Sequence, residues 1–137
     1  IQNESWNVTN SFSDSIPNCD IILVTVPTPV NENKSMADGL KIMSAKKFGT
    51  LIVLNSKKIL SGTYSDGDSR RDAEKNFKKL KVKDLMIKKP ITINKNILAV
   101  NCLRLMQNNK ITKLIVTNKN KVEGLISIHH IIDSGIR

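Results

Sequence analysis

Ten consecutive residues, 62–71 (GTYSDGDSRR), contain two glycines, two carboxylates and two arginines. Such a stretch could be a polar turn, a metal-binding loop or a site for a phosphorylated ligand. A calcium loop of the EF-hand type is not expected, because the further acidic positions that such a loop requires are missing. A site for a phosphorylated ligand and a plain polar turn remain as the two interpretations of this stretch.

The side chains of this stretch suggest separate roles. Gly62 would allow a close approach of backbone or ligand, and the hydroxyl of Ser65 could hydrogen-bond a ribose or a phosphate. Asp66 or Asp68 could act as the N-cap of a following helix, whose free N–H groups would attract an anion. For Asp68, capping alone is the alternative to ligand binding.

Basic residues follow directly. Arg70 and Arg71 are expected in the first turn of that helix, where guanidinium groups could bind phosphate, although a solvated face or a dimer contact is an equal alternative. Four lysines further along could add a positive rim or simply favour solubility: Lys81, Lys83, Lys88 and Lys89.

The elements that must position these residues occur twice. Residues 39–55 align with residues 102–118, and after a shorter turn in the second copy Gly62 aligns with Gly124 and Ser65 with Ser127. Each copy predicts an extended X-Pro segment, a helix, two strands and a helix start. The helices carry apolar residues at helical spacing: Met36, Leu40 and Met43 in one, and Ile97, Val100, Leu103 and Met106 in the other. The strands are predicted at 51–54, 59–64, 114–117 and 122–128.

This repeat defines the expected fold class. The chain is predicted to be α/β (α+β), with two β-α-β-β-α repeats, and one repeat alone is too small to bury a core. The two repeats should therefore pack with pseudo-two-fold symmetry. The predicted domains are an atypical N-terminal segment or linker over 1–26, a first repeat over 27–80 and a second repeat over 81–137.

The repeat and its motifs resemble a tandem cystathionine-β-synthase (CBS) domain pair, a ligand-sensing module attached to many enzymes and transporters. The stretches GTYSDGDSRR, VKDLMIKKPITI and GLISIHHIIDSGI are similar to those at the C-terminus of arabinose-5-phosphate isomerases, in the sugar-isomerase family. The resemblance covers residues 27–137. Some CBS-linked sugar nucleotidyltransferases carry a similar acidic and arginine-rich stretch, so a CBS pair from such a protein is the alternative.

The resemblance implies particular binding residues. In CBS domains a Ser or Thr and the Asp three residues later contact the ribose of a nucleotide, which corresponds here to Ser65 and Asp68. Neighbouring positions would complete the first site: Gly62, Thr63, Arg70 and Arg71.

The second copy departs from that pattern. Ser127 keeps the hydroxyl, but His130 stands where the family has Asp, which puts ribose binding there in doubt. His130 could accept from a hydroxyl, pair with phosphate when protonated, or only cap a helix. By resemblance, Thr112 and Lys113 are its polar partners across the site.

The first part of the chain is of a different kind. Residues 9–33, with the run CDIILVTVPTP, resemble a short fragment of nucleotide-sugar dehydrogenases, but no Gly-x-Gly-x-x-Gly precedes this run. We interpret the segment as a fusion junction near residues 29–35, with a linker strand as the alternative. A remnant of such a dehydrogenase is a further alternative for the function.

Composition limits the function classes. The net charge is +10, which suits an anionic partner, but aromatic residues make up only 4% and no helix-turn-helix pattern occurs, so nucleic acid is not expected. No apolar run approaches the roughly 20 residues of a membrane span, and two distant cysteines fit a reducing cytoplasm.

No catalytic residues are predicted. We expect a regulatory homodimer without enzymatic activity that requires no cofactor and binds AMP, ATP or CMP-Kdo, taken from an isomerase of Kdo and lipopolysaccharide synthesis.

Overall fold

A computed structural model describes residues 29–133 and 135. Within this part of the chain, backbone contacts separate two compact units. One contains residues 29–91 and 117–122, and the other contains residues 92–116 and 123–133. None of the described helices is long and apolar enough to cross a membrane.

The first unit is built on a four-stranded sheet in the order β1-β2-β3-β4. Strand β1 runs parallel to β2, while β3 is antiparallel to both β2 and β4. Its elements are β1 (Val30–Asn31), α1 (Met36–Lys46), β2 (Thr50–Leu54), β3 (Leu60–Ser65), α2 (Asp66–Arg71), α3 (Val82–Leu85) and β4 (Ile87–Lys88).

Local chemistry sets the ends of helix α1. The Ser35 side chain caps its start by accepting a hydrogen bond of 3.2 Å from the Asp38 N–H. Its end is Lys47, which adopts the left-handed conformation with φ of 57°. The helix packs on the sheet to form an aliphatic core around one tyrosine: Val30, Met36, Met43, Leu51, Val53, Tyr64 and Val82.

The second unit holds a three-stranded sheet in the order β5-β6-β7. Its elements are β5 (Thr92–Ile93), α4 (Ala99–Asn109), β6 (Lys113–Asn118), β7 (Lys121–Ser127) and α5 (Ile128–Asp133). Ile93 lies opposite Val116 in the parallel pair β5-β6, as Val30 lies opposite Val53 in β1-β2. Its core is separate: Ile93, Ala99, Cys102, Leu103, Met106, Leu114, Val116, Ile126 and Ile131.

The predicted β-α-β-β-α order is confirmed in both copies, and each strand end lies within one residue of its predicted position. The helical face of the second copy was predicted wrongly at Val100, which is 36% exposed, because Ala99 and Cys102 occupy the buried positions instead. Strand β4 precedes Pro90 and was assigned to the second repeat, yet it pairs with β3 of the first unit.

Candidate functional site

The corner between β3 and α2 carries the predicted ribose contacts. Ser65 is the N-cap of α2, and its Oγ accepts from the Asp68 N–H at 3.3 Å. The Asp68 carboxylate in turn accepts from the Ser65 N–H at 2.8 Å and from the Ser65 hydroxyl at 2.7 Å. These reciprocal bonds form a capping box. The N-cap is therefore Ser65, and the prediction that Asp66 or Asp68 fills that position is wrong.

Asp68 is the one buried carboxylate residue within residues 29–133, and it is only 8% exposed. Both bonds from Ser65 reach its Oδ2, and the Arg71 guanidinium donates to its Oδ1. A carboxylate oxygen accepts about two hydrogen bonds. By this count Oδ1 has the capacity for one more hydrogen bond, such as one from a ligand hydroxyl.

Arg70 and Arg71 lie in the last turn of α2, so their predicted place in its first turn is wrong. The helix has six residues, and a spacing of three lets Arg71 reach back to Asp68. The Arg71 side chain remains 68% exposed. Arg71 thus orients Asp68 and neutralises its charge, while Arg70 is exposed beside it.

Gly62 and Thr63 lie within β3 rather than at the corner. Gly62 is buried, and a Cβ built on it would lie 2.7 Å from the Ile87 carbonyl oxygen and 2.7 Å from the Met86 Sδ. Thr63 is half-buried opposite Ile52 and Ile87. The close approach that Gly62 permits is therefore to strand β4.

Each strand-to-helix corner is hydrogen-bonded through its backbone to the segment just before the adjacent strand, β2 in the first copy and β6 in the second. The Asp66 N–H donates to the Gly49 carbonyl at 3.1 Å, and the Ile128 N–H donates to the Thr112 carbonyl at 2.8 Å. These two bonds occupy equivalent positions of the repeat. The structure thus brings the second corner together with the Thr112 segment that the sequence assigned to its site, and the first corner together with the equivalent Gly49 segment.

The second corner has different side chains. Ser127 is buried, and its Oγ accepts from the His129 N–H at 3.4 Å. His130 is half-buried, and burial lowers its pKa below the ordinary value, which disfavours the protonated form that would pair with phosphate. Thr112 is exposed, and Lys113 is half-buried at the start of β6.

Tyr64 supports the first corner and was missed by the sequence reasoning. Its ring is fully buried beside Ser65, and its hydroxyl donates to Asp72 Oδ2 at 3.2 Å. Burial and the Asp72 charge raise the pKa of the phenol well above its ordinary value. Lys75 also pairs with Asp72 at 2.7 Å. No sequence pattern points to this pairing. In the described part of the chain, no group of three His, Cys, Asp or Glu residues could hold a metal ion.

Comparison with known proteins agrees with this architecture. A family model described as "CBS domain" matches residues 82–136. The chain is 26% identical to a CBS-domain protein from Burkholderia ambifaria MC40-6, with a TM-score of 0.73 over 81% of this chain and 83% of that one. Residues 82–136 therefore match the CBS domain family, and the predicted resemblance of the chain to CBS-domain proteins is confirmed.

Comparison by sequence finds arabinose 5-phosphate isomerases among the similar proteins. Arabinose 5-phosphate isomerase KdsD of Yersinia pestis is 30% identical over 113 residues, which are 81% of this chain and 34% of the isomerase. The chain thus spans about a third of the length of that relative. The likeness of residues 9–33 to dehydrogenases falls almost wholly outside the described residues and stays a prediction.

Two further structures with this fold hold nucleotides. CBSX2 in complex with AMP has a TM-score of 0.67 at 22% identity, over 79% of this chain and 86% of that one. The CBS domain of a bacterial CNNM/CorC family Mg²⁺ transporter in complex with ATP has a TM-score of 0.70 at 16% identity, over 82% of both chains. At these identities the two likenesses concern the fold.

Proposed function

We propose that this chain is a regulatory module that binds a nucleotide at the Ser65–Asp68 corner. The observation that carries the proposal is the buried Asp68 carboxylate, which keeps one open acceptor position on Oδ1 beside the Arg71 guanidinium. A ribose hydroxyl could donate to that oxygen, and the guanidinium could meet a phosphate. The complexes of CBSX2 with AMP and of the transporter domain with ATP support an adenine nucleotide.

The first corner is the preferred site. In the second corner Ser127 is buried and His130 replaces the carboxylate, and burial lowers the pKa of His130 and so disfavours its cationic form. We therefore assign nucleotide binding to the first copy, and a weaker or different preference to the second.

The parent protein is proposed to be a sugar-phosphate isomerase in which this module adjusts catalysis. The isomerase of Yersinia pestis supports that assignment, because the chain aligns with about a third of it. CMP-Kdo is then a second candidate ligand. A cytoplasmic location and a homodimer complete the proposal, and the exposed apolar side chains of Leu98 and Ile132 suit a contact between copies.

The test compares two matched Ser-x-x-Asp caps. Ser35–Asp38 at the start of α1 has the same spacing as Ser65–Asp68, but Asp38 is exposed. Thermal shift is measured with AMP, ATP, CMP-Kdo and NAD on the unmodified chain and on Asp68→Asn and Asp38→Asn. A hydrogen bond to a charged group contributes about 1.5–3 kcal/mol. Asp68→Asn should therefore need at least about tenfold more nucleotide for the same shift.

The control separates ligand binding from capping. Asp38→Asn should keep the full nucleotide response, since it alters only a helix cap. Equal responses in Asp68→Asn and the unmodified chain would refute the corner, and stabilisation by NAD alone would refute the sensor function.

A further inference from the structure

A polar depression lies in the first unit, away from the Ser65 corner. It is open, has a volume of about 510 Å³, and is lined by Glu32, Ser61, Lys83, Asp84, Met86, Lys88 and Lys89. Pockets for small ligands fall in the range of about 300–1,000 Å³. The depression is therefore large enough for a metabolite of modest size.

Backbone contacts fix the walls of this depression. The Lys83 N–H donates to the Glu32 carbonyl at 3.0 Å, which holds α3 against the end of β1. Strand β4 pairs with β3, with Lys88 opposite Gly62. The lysines thus stand on a fixed backbone, although their side chains are exposed.

The three lysines carry charge that the described chain does not neutralise. Among residues 29–133, no ion pair involves Lys83, Lys88 or Lys89. The two carboxylates of the depression are already hydrogen-bonded. Glu32 Oε2 accepts from the Ser61 hydroxyl at 2.6 Å, and Asp84 Oδ2 accepts from the Lys81 N–H at 2.8 Å. With three lysines against two carboxylates, the depression keeps a net positive charge of one.

The carboxylates and the methionine of the depression indicate that its ligand carries more than an anionic group. Each carboxylate keeps free acceptor positions, which suit the hydroxyl groups of a polyol. Ammonium groups suit a phosphate, and the Met86 thioether provides an apolar wall for a carbon skeleton. A ligand with one phosphate and several hydroxyls would satisfy all of these groups at once.

We propose that this depression binds a phosphorylated sugar, independently of the nucleotide corner. Ser61 and Ser65 lie four residues apart on β3, which places them roughly 13 Å apart along an extended strand. The two sites would lie at opposite ends of β3. The module would then respond to a nucleotide and to a sugar phosphate.

The experiment maps binding residue by residue. The ¹⁵N-labelled full chain is titrated with D-ribose 5-phosphate at constant ionic strength, and D-ribose and inorganic phosphate serve as partial probes. Amide shifts should saturate at Ser61, Lys83 and Lys88, with weaker binding of phosphate and none of ribose. The double variant Lys83→Gln/Lys88→Gln should bind D-ribose 5-phosphate at least about tenfold more weakly, by the loss of two charge-assisted contacts.

The controls separate this site from general charge and from the nucleotide corner. Lys46→Gln/Lys121→Gln removes the same charge from exposed positions outside the depression and should leave the affinity unchanged. Asp68→Asn should also leave it unchanged. Equal weakening in both lysine doubles, or shifts at Ser65–Asp68 or at other lysines without saturable shifts at Ser61, Lys83 and Lys88, would overturn the proposal.

Discussion

Gly62→Ala tests what the first glycine of the GTYSDGDSRR stretch does. An added Cβ would lie 2.7 Å from the Ile87 carbonyl oxygen and 2.9 Å from the Met86 Cγ, closer than real Cβ atoms approach such groups. The Ile87 carbonyl is backbone of β4, so the strand must move. Its two register pairs with β3 would then be strained or lost.

The size of the effect follows from these contacts. An extra methyl group in a packed site usually costs about 1–3 kcal/mol, and each strand hydrogen bond that is weakened adds about 1 kcal/mol. We expect Gly62→Ala to lower the free energy of unfolding by about 2–3 kcal/mol. For a chain of this length that corresponds to a fall in Tm of roughly 8–12 °C.

Gly67→Ala is the matched control. Gly67 lies in α2, and the nearest atom to its built Cβ is the Ser65 Oγ at 3.6 Å. Alanine is the better helix former by about 1 kcal/mol, so this variant should be slightly more stable. Urea denaturation measures both changes in the free energy of unfolding, as shifts of the denaturation midpoint at an unchanged m-value. Unchanged stability of Gly62→Ala, together with loss of the nucleotide response, would refute the packing role and assign Gly62 to the ligand.

Two other changes test single side chains. Burial lowers the pKa of His130 in the folded chain, so the unfolded chain binds more protons as the pH falls below about 6.5. Stability should therefore fall between about pH 7 and pH 5, and His130→Gln should flatten this dependence in urea denaturation; an equal slope in the variant would contradict this reasoning. Lys110 ends α4 with φ of 52°. Lys110→Gly should stabilise the chain by about 0.5–1 kcal/mol, because glycine adopts this conformation without strain, whereas Asn109→Gly, within the helix, should destabilise it by a similar amount. Thermal denaturation measures the stability of both glycine variants, and changes of the same sign would contradict the predicted role of the left-handed conformation.

Repeat architecture was predictable because it depends on patterns that recur along the chain. Equivalent strands, helices and corners follow from one alignment, and the paired bonds from Asp66 to Gly49 and from Ile128 to Thr112 confirm that the copies share one backbone frame. The helical face of α4 was less predictable. Small residues such as Ala99 and Cys102 fill buried positions of the core here, whereas the predicted face relied on the larger Val100.

The position of the arginines could not be read from the sequence, because it depends on where a short helix ends. Residues after Arg71 continue in helix-forming types, yet Asp72 uses its carboxylate for the Tyr64 hydroxyl and for Lys75. The polar depression could not be predicted from the sequence either. Its lining comes from the end of β1, the start of β3 and the segment around β4, and only the folded chain brings these together.

The Ser-x-x-Asp pattern shows why local sequence does not define a binding site. Ser35–Asp38 and Ser65–Asp68 share two bonds, one from the Asp N–H to the Ser Oγ and one from the Ser hydroxyl to the Asp carboxylate, and Ser65 also donates its own N–H to Asp68. They differ in what surrounds them, since Asp38 is exposed, whereas Asp68 is buried against the end of a strand and held by Arg71. A buried carboxylate with an open acceptor position gains much from a ligand hydroxyl, while an exposed one already has water. Burial at the end of β3 therefore makes the second of these caps the candidate for nucleotide binding.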